Sequence, residues 1–345
     1  MRSVSMAKRM RRAGTGFAVA CVITSHALAA DLPLTFALNA PIQGPSAPFL
    51  LPFDRGAYKA EGLNVSIETL ASSQDAIERV ASGNAEMGVA DINTLIRYRD
   101  GNPKTPVKAV FVVYSRPPYA VTGRRSRGIA TPKDLEGKRV GVPVSGATAP
   151  QWPLFVKQAG LDASKIAVEP VSIPVREPML AAGQVDAVTG QSLQVAIGLR
   201  ERGVAASDIV VMLMADYGVQ LYGDAVIVNT TFADKQPGEV KGFLRAYVKG
   251  LKEAIASPAA AIASVLRRND SASKDTETER LMMAVRDNIM TAEVKANGLG
   301  AIDRERFIRA IEQVAASGGI RGAKPKPEDI FDESYLPPLT ERRAP

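Results

Sequence analysis

Val80-Ala81-Ser82-Gly83-Asn84-Ala85-Glu86-Met87-Gly88-Val89-Ala90-Asp91, VASGNAEMGVAD, is echoed one hundred positions later by LAAGQVDAVTGQ, Leu180 to Gln191. Each copy runs from the end of an amphipathic helix into a glycine, then through a tight turn into a short apolar run. Glycine accepts the left-handed backbone that ends a helix, and a brief uninterrupted apolar run reads as a strand buried on both faces. A chain that repeats helix, glycine stop and buried strand carries the same layered unit twice. That predicts two α/β lobes.

The segments around each copy carry the same rhythm. In the first, Leu34 to Leu38 reads as a strand, Ala40 to Pro48 as a Pro/Gly-rich loop, Phe49 to Glu61 as a helix and Asn64 to Thr69 as a strand. Ser72-Ser73-Gln74-Asp75 then caps a helix that runs to Ala81 and is followed by the strand Met87 to Ala90. This β-α-β-α-β order implies a parallel sheet with right-handed crossovers. In the second, Pro132 to Leu135 starts a helix and Arg139 to Val142 is a strand. The loop Pro143 to Pro150, a helix from Gln151 to Ala159, the strand Ala167 to Val171, a helix from Glu177 to Ala182 and the strand Asp186 to Thr189 complete it. Val110 to Tyr114 and Arg116-Pro117-Pro118-Tyr119 lead out of the first lobe. Ile209 to Met214 and Tyr217 to Asp224 lead back, so Ala225 to Val228 rejoins the first sheet ahead of helices at Glu239 to Ser257 and Pro258 to Arg268. Lobe one is expected over residues 31–119 and 224–345, and lobe two over 120–223. The proline-rich tail, with Lys324-Pro325-Lys326-Pro327 and Pro337-Pro338, is expected to be an extended surface strap without a functional role of its own.

The first residues read as an address. Arg2, Lys8, Arg9, Arg11 and Arg12 precede a short apolar run, and Ala27-Leu28-Ala29 has the form of a cleavage site, so residues 1–29 are read as a secretory signal peptide. Cys21 as a lipid-bearing residue is the alternative, disfavoured by the short apolar run before it. Cys21 and His26 are the only cysteine and histidine in the chain. The exported part therefore has no disulfide, no Cys or His metal site and no histidine-dependent nucleophile. No catalytic residues, metal or cofactor are expected. Taking the leader's five basic residues from the 43 leaves 38 against 36 acidic ones, a balance of +2 that gives nucleic-acid binding no support. No later apolar run approaches the ~20 residues of a membrane span. The exported chain is expected to be a soluble monomer in the periplasm.

Gly44 to Glu68 (GPSAPFLLPFDRGAYKAEGLNVSIE), SGNAEMGVAD, PKDLEGKRVGVPV at Pro132 to Val144 and AGQVDAVTG at Ala182 to Gly190 together resemble the SsuA/THI5-like (NMT1-like) solute-binding proteins. The resemblance extends from about Leu34 to about Arg268. It implies the type II periplasmic-binding fold: two α/β lobes joined by a two-strand hinge, with a ligand cleft between them. It also implies a small-molecule ligand of sulfonate, taurine, nitrate or pyrimidine kind and an ABC permease as partner. Two other readings stay open: an exported module that presents its ligand to a membrane receptor, and a pyrimidine synthase of the eukaryotic branch. The synthase depends on a histidine and a cysteine-rich motif that the exported chain lacks.

Ligands of α/β folds bind beyond the carboxyl ends of the strands, which selects the candidate site residues. In lobe one these are Asn39, Gln43 and Ser46 after the first strand, Ser72 and Ser73 at a helix N-terminus, and Asp91 at the end of a buried strand. Asp91 as the cap of the next helix is the competing role. In lobe two they are Ser145, Gly146 and Thr148 before a helix, Gln151 and Trp152 on its first turn, Arg176 ahead of a helix, and Gly190 and Gln191 closing the second echo. Trp152 could stack on a flat or cationic ligand or pack in the core, and Arg176 could meet an anion or pair with Glu177. Tyr217, Tyr222 and Asp224 lie on the return crossing. Asp91 and Arg176 facing one cleft would suit a zwitterionic or amphoteric ligand.

Overall fold

The computed structural model describes Met1 and residues 31–345, and residues 31–345 form one compact unit. The signal-peptide and lipid-attachment readings fall on residues outside those described. Within the unit lie two five-stranded sheets. The first contains β1 (Leu32–Leu38), β2 (Leu63–Thr69), β3 (Met87–Asp91), β4 (Val107–Val112) and β10 (Asp224–Asn229), in the order β2-β1-β3-β10-β4. The second contains β5 (Tyr119–Arg124), β6 (Arg139–Pro143), β7 (Ala167–Val171), β8 (Ala187–Gln191) and β9 (Ile209–Leu213), in the order β7-β6-β8-β5-β9.

The two orders are the same arrangement written twice, and the echoed phrases are β3 and β8, the middle strand of each sheet. Both sheets are mixed rather than wholly parallel. The fourth strand, β10 in one and β5 in the other, is the first strand entered after a crossing, and it runs antiparallel to both neighbours. A chain arriving from the other lobe enters at the cleft end of the sheet, so it must run against strands that end there. Each lobe thus feeds a strand directly into the centre of the next sheet. Tyr119 already belongs to the second sheet and Asp224 to the first.

The helices follow the sequence pattern with local differences. The segment expected as one helix from Phe49 to Glu61 is split into α1 (Ala47–Asp54) and α2 (Ala57–Ala60), because Gly56 between them takes a left-handed φ of 69°. α3 (Ser73–Ala81) has Ser72 as N-cap, with its Oγ accepting from Asp75 N, and α4 (Ile92–Gly101) has Asp91 in the same role. In lobe two are α5 (Trp152–Gln158), α6 (Ile173–Ala182) and α7 (Ser192–Glu201). α6 starts four residues before the expected Glu177, with Pro174 in its first turn where a missing N–H costs nothing, so Arg176 lies inside it. Gly83 and Gly183 end the two echoed helices with φ of 74° and 73°.

After β10 the chain returns to lobe one as α8 (Thr230–Lys235), α9 (Pro237–Ala256), α10 (Pro258–Leu266), α11 (Lys274–Ala284), α12 (Ala292–Asn297) and α13 (Arg304–Val314). The core of this lobe is built on stacked rings, with Phe36, Phe49, Tyr58, Phe243 and Tyr247 in mutual contact. The tail is more than a surface strap. Phe331 is buried beside Ala109 of β4, and Asp332 N donates to Ala109 O at 2.9 Å, which covers the edge of the first sheet.

Candidate functional site

A cavity of about 920 Å³ lies between the lobes at the ends of the strands. Lobe one contributes Asn39, Gln43 and Ser46 from the loop after β1, Ser72 and Ser73 at the start of α3, and Asp224 at the start of β10. Lobe two contributes Ser145, Gly146 and Thr148 before α5, Arg176 on α6 and Gln191 at the end of β8. Several of these hydroxyls and amides are already engaged by the protein. Ser72 Oγ donates to Asp75 Oδ2 at 2.8 Å and caps α3, while Ser73 Oγ accepts from Asn39 Nδ2 and from Asp91 N, both at 3.0 Å. Ser46 Oγ accepts from Gln43 N at 3.3 Å.

Six residues singled out from the sequence lie outside the cavity wall. Asp91 is 2% exposed and caps α4: it accepts from Thr94 N at 2.8 Å, from Thr94 Oγ1 at 3.0 Å, from Asn93 Nδ2 at 3.3 Å and from the Tyr119 hydroxyl. Gln151 is fully buried behind the lobe-two loop, where Nε2 donates to Ala147 O at 3.1 Å and Oε1 accepts from Arg97 Nη2 at 3.2 Å. Trp152 is buried in the apolar core with its ring 6.0 Å from Phe155. Tyr217 stands edge-on to the same Phe155. Gly190 lies beneath Arg176, so close that a Cβ would sit 2.6 Å from Nη1. Tyr222 is buried at the hinge, its hydroxyl donating to Glu293 Oε1 at 2.5 Å and its ring under Arg306.

The cavity also has lining residues that the sequence reading passed over. Thr94, Arg97, Tyr98 and Gly101 all face it from α4. Their spacing of three, four and seven is one helical face, and the opposite face carries the buried Ile92, Leu95 and Ile96. That polar stripe on a helix starting at a strand end was the available signal. Phe49, Tyr114, Leu193 and Gln194 add apolar and amide surface.

The charged groups fall into two classes. Arg176 is 3% exposed and is neutralised by Glu177, with Nε donating to Oε1 at 3.0 Å, while Nη1 reaches Thr189 O at 3.4 Å. Arg97 has no carboxylate within 4.0 Å among the described residues, and its buried Nε makes no hydrogen bond. Desolvation lowers its pKa, with Asp91 and Tyr119 opposing from further away. Asp224 pairs across the ladder with Asp91. Burial, together with the Asp91 charge, pushes its pKa up to about 7, against a smaller lowering by the neighbouring Asn39 amide.

Two crossings join the lobes, Val113 to Pro118 and Met214 to Gly223, and both are held by α13. Arg306 Nη2 donates to Ser115 O and to Leu221 O, each at 2.7 Å, Nη1 donates to Glu293 Oε2 at 2.8 Å, and the guanidinium lies 4.1 Å over the Tyr222 ring. One side chain therefore ties the outgoing strand to the returning one.

Residues 44–261 match the model of a family described as NMT1/THI5 like, well over half of the chain. The chain is 24% identical over 298 residues to a protein named riboflavin-binding protein RibY of Chloroflexus aurantiacus, covering 84% of this chain and 82% of that one. It is 26% identical over 235 residues to the protein named 4-amino-5-hydroxymethyl-2-methylpyrimidine phosphate synthase THI13 of Saccharomyces cerevisiae, covering 65% of this chain and 68% of that one. Its fold is similar to that of the periplasmic aliphatic sulphonate binding protein SsuA from Escherichia coli, with a TM-score of 0.69 at 14% identity over 88% of this chain and 99% of that one. The architecture is a periplasmic-binding-protein fold.

Proposed function

The chain belongs to the NMT1/THI5-like family, and we propose that it is the extracytoplasmic solute-binding component of an ABC importer, capturing a small polar organic ligand by closure about its hinge. The observation that carries this reading is the interlobe cavity, lined from both lobes, which two crossings join among the described residues. Its volume of about 920 Å³ is near the upper end of the ~300–1,000 Å³ typical of small-molecule pockets. Such a space suits a sulfonate, a taurine-like compound, a pyrimidine or a larger aromatic better than a three-oxygen anion such as nitrate. The names of the RibY and SsuA relatives point the same way. Binding to one lobe followed by closure completes the contacts and excludes water, and the closed monomer is then the form a permease distinguishes.

The name of the yeast relative raises a synthase reading. Against it, residues 31–345 contain neither histidine nor cysteine, so the cavity carries no imidazole or thiol for acid-base or nucleophilic work. No helix among the described residues is long and apolar enough to cross a membrane, in keeping with a protein that meets its permease from outside.

Mass spectrometry of the native protein, before and after denaturation, tests the proposal. One stoichiometric small molecule, or a thermal shift of several degrees with a member of a sulfonate, pyrimidine and flavin panel, is expected. An empty cleft combined with no shift from any compound would overturn it.

A further inference from the structure

On the solute-binding reading above, we propose that the ligand is amphoteric, presenting a nitrogen donor to Asp224 and an anionic or acceptor oxygen to Arg97. The two charges singled out from the sequence as the complement of such a ligand, Asp91 and Arg176, are both satisfied internally. Asp91 accepts from Thr94, Asn93 and Tyr119, and Arg176 holds Glu177. Asp224 and Arg97 set a carboxyl and a guanidinium on the same cavity wall, with far less internal compensation.

Asp224 is placed at a cost. Residues directly opposite in an antiparallel pair bring their side chains together, and like charges there repel. Asp91 is committed to capping α4, so Asp224 meets a second carboxyl on its protein side, with the Asn39 amide as the donor beside it and the buried Tyr114 and Tyr247 close by. The cavity is its one open direction, and a donor or cation from that side relieves both the repulsion and the desolvation. Arg97 presents the mirror case: one hydrogen bond, to Gln151 across the interlobe gap, and no carboxylate within 4.0 Å among the described residues, Asp91 acting on it only from further away. Buried guanidinium groups are stable when two acceptor oxygens of one anionic group fill the fork, and a ligand carboxylate, sulfonate or phosphate has that chemistry. Arg97 stands on lobe one and Gln151 on lobe two, so an anion on Arg97 also lies where the lobes meet.

The test uses three probes with one skeleton, para-(aminomethyl)benzoate, para-methylbenzoate and para-methylbenzylamine, with taurine and ethanesulfonate as a smaller pair, in thermal-shift and calorimetric titrations. The amphoteric member of each set is expected to bind more tightly than its singly charged analogues. Asp224→Asn should erase the preference for the amine, and Arg97→Gln the preference for the acid, each lowering amphoteric affinity by about tenfold or more. Equal binding of simple anions and amphoteric probes, or variants that bind them as the wild type does, would overturn the assignment. The molecule released from the native protein separates the two failures. A stoichiometric compound lacking either group would refute this inference and leave the receptor reading intact. With no released compound and no probe of any charge bound, the receptor reading itself fails.

Discussion

Replacing Asp224 by asparagine should stabilise the protein, and by an amount that depends on pH. The carboxyl titrates at about 7 in the folded chain against an ordinary value of 3.8. Between those values the folded protein holds a proton that the unfolded chain has released. Stability from this group is therefore complete below about 4, falls as pH rises towards 7, and is level above. The charged and titratable groups packed around it are Asp91 from β3, Tyr114 beyond β4 and Tyr247 from α9. Both tyrosines are pushed up by burial and remain neutral across this window, so Asp224 dominates the effect. Linkage gives a difference of about 2–3 kcal/mol between pH 5 and pH 8, and halving it because the carboxyl borders cleft water leaves about 1–2 kcal/mol. The amide of the Asp224→Asn variant has no proton to lose, so its advantage over the wild type should grow by that amount from the lower pH to the higher, a few °C in Tm. Urea and thermal unfolding of both proteins without ligand, at several pH values, measure it. Parallel stability curves would mean that the carboxyl is fully hydrated in the unliganded cleft, and the desolvation reasoning would be wrong.

Other substitutions probe the hinge and the lobe-two core. Arg306→Ala removes the donor to both crossings and leaves Glu293 without its partner, so chemical denaturation should register a loss of about 2–4 kcal/mol. Trp152→Phe should lower thermal stability by about 1–3 kcal/mol through lost packing against Phe155. Ligand titration should find its affinity within about twofold of the wild type, since the indole is outside the cavity wall. Gly190→Ala drives a methyl to within 2.5 Å of Val195 and 2.6 Å of Arg176, and a Tm measurement should show a penalty of about 1–3 kcal/mol.

The positions where expectation and structure part are instructive. Gly83, Gly183, Ser72 and the buried strands after them are local features, decided by φ, capping and apolar runs within a few residues, and each is where the sequence puts it. Trp152 and Tyr222 are large amphipathic side chains whose local pattern fits a cleft wall or a core equally well. Their placement depends on which way a helix turn or a crossing strand faces once the lobes are assembled. Arg97 was missed for a related reason. A polar stripe on a helix marks an exposed face, but only the facing lobe turns that exposure into a cavity.

The sequence by itself determined the two-lobe α/β plan, the repeated helix, glycine and strand unit, and the order of most elements, because these follow from short-range periodicity and backbone chemistry. Only the tertiary structure decided which charges remain open. Whether a carboxylate is compensated depends on partners distant along the chain: Tyr119 reaches Asp91 from the other lobe, and Asp224 lies opposite Asp91 only after the chain has passed through all of lobe two. Arg306 likewise finds Ser115 and Leu221 only once the C-terminal helices have returned over the hinge. Burial and pairing of charge are properties of the assembled surface, and no local pattern encodes them.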